Sequence, residues 1–212
     1  MFLSKALLNL SSEDVQTDLD NCQKMHCRLM SLFGRCPNGQ PARDFFEVLY
    51  RLENTITGEK YILIQSRDLP DWTSLPNGYL GQSNGTANPL TKVTPEDHFK
   101  NGMTLRFKLQ ANPTRRDIIT KKWINYRTLE ECLSWLIKKG EDHGFKVLEN
   151  TVAIDRTTVS GEKCGEQKMF FNSAVFEGVL TITDAIVFKK AYIEGVGKGR
   201  AYGHGLISVA RA

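Results

Sequence analysis

The mostly apolar run "FLSKALLN", residues 2 to 9, broken by Ser4 and Lys5, predicts a strand that ends at a turn where Ser11 or Ser12 caps a helix, with Glu13 and Asp14 in its first turn. From about Glu13 to Phe33 the apolar positions Val15, Leu19, Cys22, Leu29, Met30 and Phe33 recur at helical spacing, which predicts one helix stopping near Gly34. "GRCPNGQPARD" is a loop by composition, and "FFEVLYRLEN" with "GEKYILIQSRD" predicts a hairpin around "TITG". Proline, asparagine and glycine then break the pattern between Leu69 and Thr94, leaving one short helical turn near Trp72. "MTLRFKLQA" restores period two, with Leu105, Phe107 and Leu109 facing one way and Arg106, Lys108 and Gln110 the other.

After "NPTRRD" the pattern begins again. "KKWINY" predicts a strand, and "TLEECLSWLIKKGEDHG" a helix with Thr128 as its cap, Glu131 at the capping-box position and Lys138 and Lys139 near its end. "FKVLENTVAID" and "EQKMFFNSAVFEGVLTIT" follow as strands, then a helix from about Asp184 to Glu194, a glycine-rich loop and a last strand, "LISVA". Strand, helix, strand, strand, helix, strand is the split βαβ order, and the first half repeats it with its second helix degraded. The fold class is therefore α+β, two ferredoxin-like, RRM-like domains in tandem: residues 1–114, a basic linker 115–121, and residues 122–212. Such a sheet has one face covered by helices and another available to a partner or ligand, an arrangement that RNA-binding modules use.

Composition narrows the chemistry. Hydrophobic residues are 41% and charged residues 25% of 212, an ordinary globular balance. "MFLSKALLNL" lacks the uninterrupted apolar run and cleavage site of a signal peptide, and no stretch is long and apolar enough to span a membrane; the expected location is cytoplasmic. Five cysteines, Cys22, Cys27, Cys36, Cys132 and Cys164, form no CxxC, and the four histidines stand apart, so neither a metal site nor a cofactor is expected. The net charge of +4 is mild, but its distribution is not even. Arg115, Arg116, Lys121 and Lys122 cluster in "TRRDIITKKW", and Lys198 and Arg200 in "GKGR"; such clusters suit a polyanion, or are solvated surface.

Two features bear chemistry. His26 lies in the first helix, roughly 30° from the centre of its apolar stripe, with Gln23 on the polar side; it is either a packed histidine or a base held by a rigid element. "GVGKGRAYGHGLISVA", Gly195 to Ala210, lacks the order of a Walker loop. Its glycines either let domains approach closely or, with Lys198 and Arg200, present N–H groups and cations to a phosphate, while Tyr202 either stacks on a base or seals the loop.

"MFLSKALLNL", "MHCRL", "PDW", "LRFKLQANPT", "AVFEGVLTITD" and "GVGKGRAYGHGLISVA" together, in order and over nearly the whole chain, resemble the CasE family, the prokaryotic CRISPR repeat-processing endoribonuclease of type I-E Cascade. The resemblance implies tandem ferredoxin-like domains of the RAMP kind that bind the CRISPR repeat hairpin. It also implies a cut at the 3′ base of that hairpin and retention of the mature crRNA beside other Cascade subunits. Cleavage is then metal-independent: the 2′-hydroxyl upstream of the scissile bond attacks phosphorus, leaving a 2′,3′-cyclic phosphate and a 5′-hydroxyl. The family's catalytic histidine falls on His26, and "ANP" and the glycine-rich loop match Ala111 to Pro113 and Gly195 to Gly205.

One departure concerns Gln23, which stands where some relatives carry tyrosine, so that the tyrosine's role is dispensable or filled elsewhere. His204 is a second acid or base, or a loop histidine exposed by chance. His26 has an ordinary pKa near neutrality and serves as base or acid. Helical geometry turns Lys24 and Arg28 away from it, so the cation stabilising the transition state is expected from Arg156, Lys163 or Lys168 in "IDRTTVSGEKCGEQK". Arg115, Arg116, Lys121 and Lys122 are expected along the stem phosphates. Competing readings are a non-cleaving RNA-hairpin-binding subunit and a small-molecule enzyme with a phosphate-holding loop.

Overall fold

The computed structural model describes residues 1–36, 39–83, 85–163 and 167–212. Cys164, counted above among the thiols, lies outside the described residues, as do residues 37–38 and 84 within the two expected loops. The chain divides into two compact units, the first comprising Met1–Thr94, Ser160–Phe170 and Ala201–Gly203, the second Pro95–Val159, Phe171–Arg200 and His204–Ala212.

In the first unit, β1 (Phe2–Leu7), β2 (Leu49–Asn54), β3 (Lys60–Ser66) and β4 (Leu90–Val93) form an antiparallel sheet ordered β2-β3-β1-β4. β1 pairs with β3 from Phe2 opposite Ser66 to Leu7 opposite Tyr61, and the predicted β2–β3 hairpin pairs Leu49 with Gln65 through Asn54 with Lys60. β4 pairs with β1 from Phe2 opposite Val93 to Lys5 opposite Leu90. All of its residues are exposed, so it carries no alternation by which a strand would be recognised.

The helix expected over 13–33 is two helices, α1 (Glu13–Leu19) and α2 (Cys22–Met30). The break falls at Asn21, whose side-chain carbonyl accepts from the backbone N–H of Gln23 at 3.0 Å and of Lys24 at 3.4 Å. An asparagine there satisfies donors that would otherwise be orphaned, and so begins a new helix in place of continuing the old one. Ser12 occupies the cap position of α1 without a side-chain cap bond. Cys22, Met25 and Leu29 form the buried stripe of α2, and Met25 and Leu29 pack into a core with Val15, Ile62 and Ile64. Burying each large side chain of this kind contributes roughly 1.5–3 kcal/mol. A short α3 (Ala42–Phe45) precedes β2.

The second unit is built on a sheet ordered β11-β5-β10-β8, from β5 (Thr104–Ala111), β8 (Phe145–Val147), β10 (Gln167–Ile182) and β11 (Ile207–Arg211). β9 (Ala153–Lys163) pairs with β10 outside that order, and β10 pairs with β5 from Ala174 opposite Ala111 to Thr181 opposite Thr104. α4 (Leu129–Asp142) has both halves of the predicted capping box, Thr128 with Glu131, and α5 (Ala185–Glu194) begins at Asp184, whose side chain accepts from the N–H groups of Ile186 and Val187. Trp135 of α4 stacks on Phe176 of β10 at 5.8 Å, inside a core with Leu109, Phe145 and Phe188.

Three expectations about organisation need correction. The strand "MTLRFKLQA", assigned to the first domain, lies inside the second sheet, and the fourth strand of the first sheet is Leu90–Val93. Alternation marks a strand without saying which sheet takes it, because pairing is non-local. "KKWINY" supplies β7 (Trp123–Asn125), which pairs with β6 (Thr114–Arg116), so the expected linker 115–121 belongs to a β-hairpin of the second unit. Its turn is held by the Asp117 carboxylate, which accepts from the N–H groups of Ile119 at 3.2 Å and Thr120 at 2.6 Å. Finally, Gln110 is buried, so the polar face of β5 is not exposed to its end.

Candidate active site

The first unit brings His26, Gln23, Lys163 and Tyr202 into one place, although they come from three separate stretches of chain. α2 carries His26 beside its buried stripe and half-buried, with Gln23 one turn earlier on the same side. Asn21, at the start of this helix, does more than cap it. Its carbonyl oxygen also accepts from the N–H of Glu162 at 3.2 Å, and its amide donates to the Glu162 carbonyl at 3.3 Å. A Cβ on Gly161 would stand 2.7 Å from both Asn21 Oδ1 and Cys22 Sγ, so the absence of a side chain there lets the backbone approach the helix. Lys163 follows two residues later, exposed.

Burial holds the His26 pKa below the ordinary histidine value, and the positive charges of Arg43 and Lys163 push in the same direction. The Ala201 backbone nearby favours the charged ring and partly opposes them. His26 Nδ1 is buried without a hydrogen-bond partner among the described residues. The Tyr202 ring and the imidazole form a T-shaped pair, centroid to centroid 6.0 Å at 66°, and the Tyr202 hydroxyl donates to Gln23 Oε1 at 3.1 Å. The Gln23 amide in turn donates to Cys27 Sγ at 3.2 Å. A neutral imidazole with two cations close enough to bear on its charge can accept a proton while those cations stabilise developing negative charge.

Sequence reasoning missed Arg43 and Asn21. Arg43 lies in the short α3 after a Pro- and Gly-rich loop, where no periodicity marks it, and Asn21 reads as one polar position in a helical run. The expectation that Arg28 is directed away is matched by its engagement: its guanidinium bonds Asp18 at 2.7 Å and Asp14 at 2.9 Å.

His204, considered above as a second acid or base, is fully buried in the second unit, with Nε2 2.6 Å from Ser173 Oγ and Nδ1 3.1 Å from the Gly199 carbonyl. Burial lowers its pKa to about 4. Both ring nitrogens therefore meet partners inside the fold, and the histidine is not exposed.

The remaining basic residues distribute as follows. Arg115, Arg116, Lys121 and Lys122 are exposed on the β6–β7 hairpin, Arg115 over the Tyr126 ring at 6.0 Å and Arg116 Nε donating to the Lys121 carbonyl at 3.3 Å. Arg156, on β9, donates to the Arg127 carbonyl. Lys168 is exposed in the same unit as His26. Lys198 Nζ sits 3.0 Å above the Trp123 ring centroid, and Arg200 donates to the Glu194 carbonyl at 2.6 Å; both line a cleft of about 350 Å³ in the second unit. Among the described residues no group of three or more histidine, cysteine, aspartate or glutamate side chains is placed to hold a metal ion, and no helix is long and apolar enough to cross a membrane.

A family model described as CRISPR associated protein matches residues 1–211. The chain is 32% identical over 226 residues, 99% of its own length and 100% of the relative's, to the CRISPR-associated endoribonuclease Cse3 of Thermus thermophilus. It is 27% identical to the CRISPR system Cascade subunit CasE of Escherichia coli K12, covering 99% of each chain. Among solved structures it resembles the endoribonuclease Cse3 bound to a 19-nucleotide RNA, with a TM-score of 0.84 at 32% identity and coverage of 99% and 100%. It also resembles Thermus thermophilus Cse3 bound to an RNA representing a pre-cleavage complex, with a TM-score of 0.83 at 30% identity and coverage of 99% and 98%. On a match that runs from the first residue to the last but one, the chain belongs to the Cse3/CasE family of CRISPR-associated proteins.

Proposed function

We propose that this chain is the endoribonuclease that matures CRISPR RNA, cutting precursor RNA at the 3′ base of the repeat hairpin and keeping the mature guide as a subunit of a type I-E Cascade. Family membership and likeness to RNA-bound Cse3 support nuclease activity in CRISPR RNA maturation. The single observation that carries the catalytic part is His26, half-buried and held toward its neutral form with Lys163 and Arg43 acting on it. Each sheet, taken by itself, has its first and third strands central and its second and fourth at the edges, the order expected of a ferredoxin-like domain.

In this reading neutral His26 accepts the proton of the 2′-hydroxyl upstream of the cut. The 2′-oxygen attacks phosphorus, the bond to the 5′-oxygen breaks, and the leaving oxygen takes up a proton from the imidazolium or from water. The products are a 2′,3′-cyclic phosphate and a 5′-hydroxyl, and no metal takes part. Lys163 and Arg43 stabilise the extra charge on the phosphoryl oxygens, and proton transfer of this kind contributes roughly a hundred- to ten-thousandfold. Arg115, Arg116, Lys121, Lys122, Arg156, Lys168, Lys198 and Arg200 bind RNA through phosphates, since double-stranded RNA is read mostly by shape and backbone.

The test is cleavage of an end-labelled repeat hairpin by excess protein in EDTA, with product ends determined. A single cut at the foot of the stem leaving a cyclic phosphate is expected. Tight binding without any cut would instead make the chain a non-cleaving RNA-binding subunit.

A further inference from the structure

Tyr202 arrives in the first unit as part of a three-residue piece, Ala201–Gly203, and two neighbours fix its position. Its hydroxyl bonds Gln23 Oε1, and Gly203 has φ +82° with the Tyr50 ring so close that an added Cβ would lie 3.3 Å from it. Tyr50 is itself buried in the core, so this turn rests on a rigid base. Gln23 and His26 are three residues apart on α2 and therefore share a face. The phenol, the amide and the imidazole form a closed arrangement: helix to amide, amide to hydroxyl, ring to imidazole, imidazole to helix.

We propose that Tyr202 is a positioning residue for His26, its ring fixing the imidazole plane through the T-shaped contact and excluding water from one side while the hydroxyl bond to Gln23 holds the phenol in place. This rests on the reading of His26 as the proton acceptor. Two observations support it beyond the contact itself. The imidazole has a buried Nδ1 without a partner among the described residues, so its orientation is left to the hydrogen bond between the ring and the Ala201 backbone, next to Tyr202, and to packing. Burial, with Cys22 and Cys27 close by, raises the Tyr202 pKa, so the hydroxyl stays protonated and donates to Gln23 across the working range. The charges bearing on the imidazole are Arg43 from α3 and Lys163 at the end of β9, and the titratable groups bearing on Tyr202 are Cys22 and Cys27 of α2.

The role differs from substrate contact in what it changes. Tyr202→Phe keeps the ring and removes the tether; Gln23→Leu removes the same bond from the other side. Each is expected to slow single-turnover cleavage about three- to tenfold, the range of one neutral hydrogen bond, with RNA affinity unchanged. The double variant should be no slower than Gln23→Leu alone, because Tyr202→Phe removes a bond that Gln23→Leu already lacks, whereas Gln23→Leu also loses the bond to Cys27 Sγ. Tyr202→Ala admits water to the imidazole and relieves the burial that lowers its pKa, so the titration midpoint of His26, followed by NMR in RNA-free protein and assigned with His26→Gln, should rise. Rates that multiply in the double variant, a Tyr202→Phe rate equal to wild type, or a loss of affinity matching the loss of rate would each overturn the proposal. So would an unmoved His26 midpoint in Tyr202→Ala. If wild-type protein cuts no repeat RNA, the ribonuclease reading fails, and the NMR midpoint alone then decides whether Tyr202 positions His26.

Discussion

Asn21 and Glu162, 141 residues apart in sequence, share two hydrogen bonds, so the residue that starts the helix of His26 is also the one that holds the end of β9 beside Lys163. His26 and Lys163 are thereby referred to a single side chain.

Two substitutions separate these duties. Asn21→Ala removes both and should cost about 1–2 kcal/mol in stability, the usual loss of a helix cap with some addition for the hairpin. Asn21→Asp keeps oxygen acceptors for the helix N–H groups but cannot donate to the Glu162 carbonyl. It should unfold near the wild-type denaturant midpoint yet cleave several-fold more slowly. Equal cleavage by Asn21→Asp and wild type would show that the bond to Glu162 does not matter to the chemistry.

Gly161 gives a companion test of the same contact. Gly161→Ala puts a carbon 2.7 Å from Asn21 Oδ1 and Cys22 Sγ and 3.0 Å from the Cys22 backbone nitrogen, so the end of β9 must move off the helix. Overpacking of this sort costs typically about 1–3 kcal/mol. Single-turnover cleavage should fall by more than RNA affinity does, and a fall in affinity alone would place the hairpin's value in binding.

The pH profile follows from the charges around His26. Its folded pKa is lowered by burial, Arg43 and Lys163, so the limb of the rate profile that reports deprotonation of His26 should have its midpoint below the ordinary histidine value. Lys163→Gln removes a repulsion against the imidazolium and should move that midpoint upward while reducing the maximal rate. A midpoint unmoved by this change would remove Lys163 from the site's electrostatics.

His204 makes a prediction about stability instead of rate. Its pKa of about 4 in the folded state lies below the ordinary value near 6.5, so the unfolded chain binds the proton more tightly. The contribution is therefore complete above pH 6.5 and lost as pH falls through 4, in all about 3 kcal/mol for a shift of roughly 2.5 units. The stability gap between wild type and His204→Gln should narrow as pH is lowered from 7 toward 4. Denaturant midpoints that stay parallel across that range would show that His204 does not resist protonation.

The β6–β7 hairpin predicts salt dependence. Replacing Arg115, Arg116, Lys121 and Lys122 with alanine should weaken RNA binding and flatten the plot of log affinity against log salt by up to about one for each phosphate left without its cation. Weaker affinity with the slope preserved would mean that these side chains support the hairpin's shape and do not meet phosphates.

Local signals were legible in the sequence and long-range partners were not. The Thr128–Glu131 box, the β2–β3 hairpin and the start of α5 at Asp184 each follow from chemistry within a few residues, and the structure has all three. The break at Asn21 was hidden because a helix that restarts after one turn of asparagine leaves apolar spacing nearly intact. β4 was hidden because its four residues are all exposed, and β5 was placed in the wrong half because alternation does not name a partner. At the site, His26 and Gln23 could be found from one helix, whereas Arg43, Tyr202 and the Asn21–Glu162 link depend on chain closure. His204 misled because glycines on either side suggest exposure, while the loop in fact buries it.

The central claim is attack by the RNA's own 2′-hydroxyl with His26 as acceptor. The most direct measurement is single-turnover cleavage, in EDTA, of the repeat hairpin and of the same RNA with one 2′-deoxy nucleotide upstream of the cut, by wild type and by His26→Ala. Loss of the cut with the deoxy substrate and with the variant, both still bound with wild-type affinity, is the result predicted. Cutting of the deoxy substrate at the same bond and at a comparable rate would contradict it.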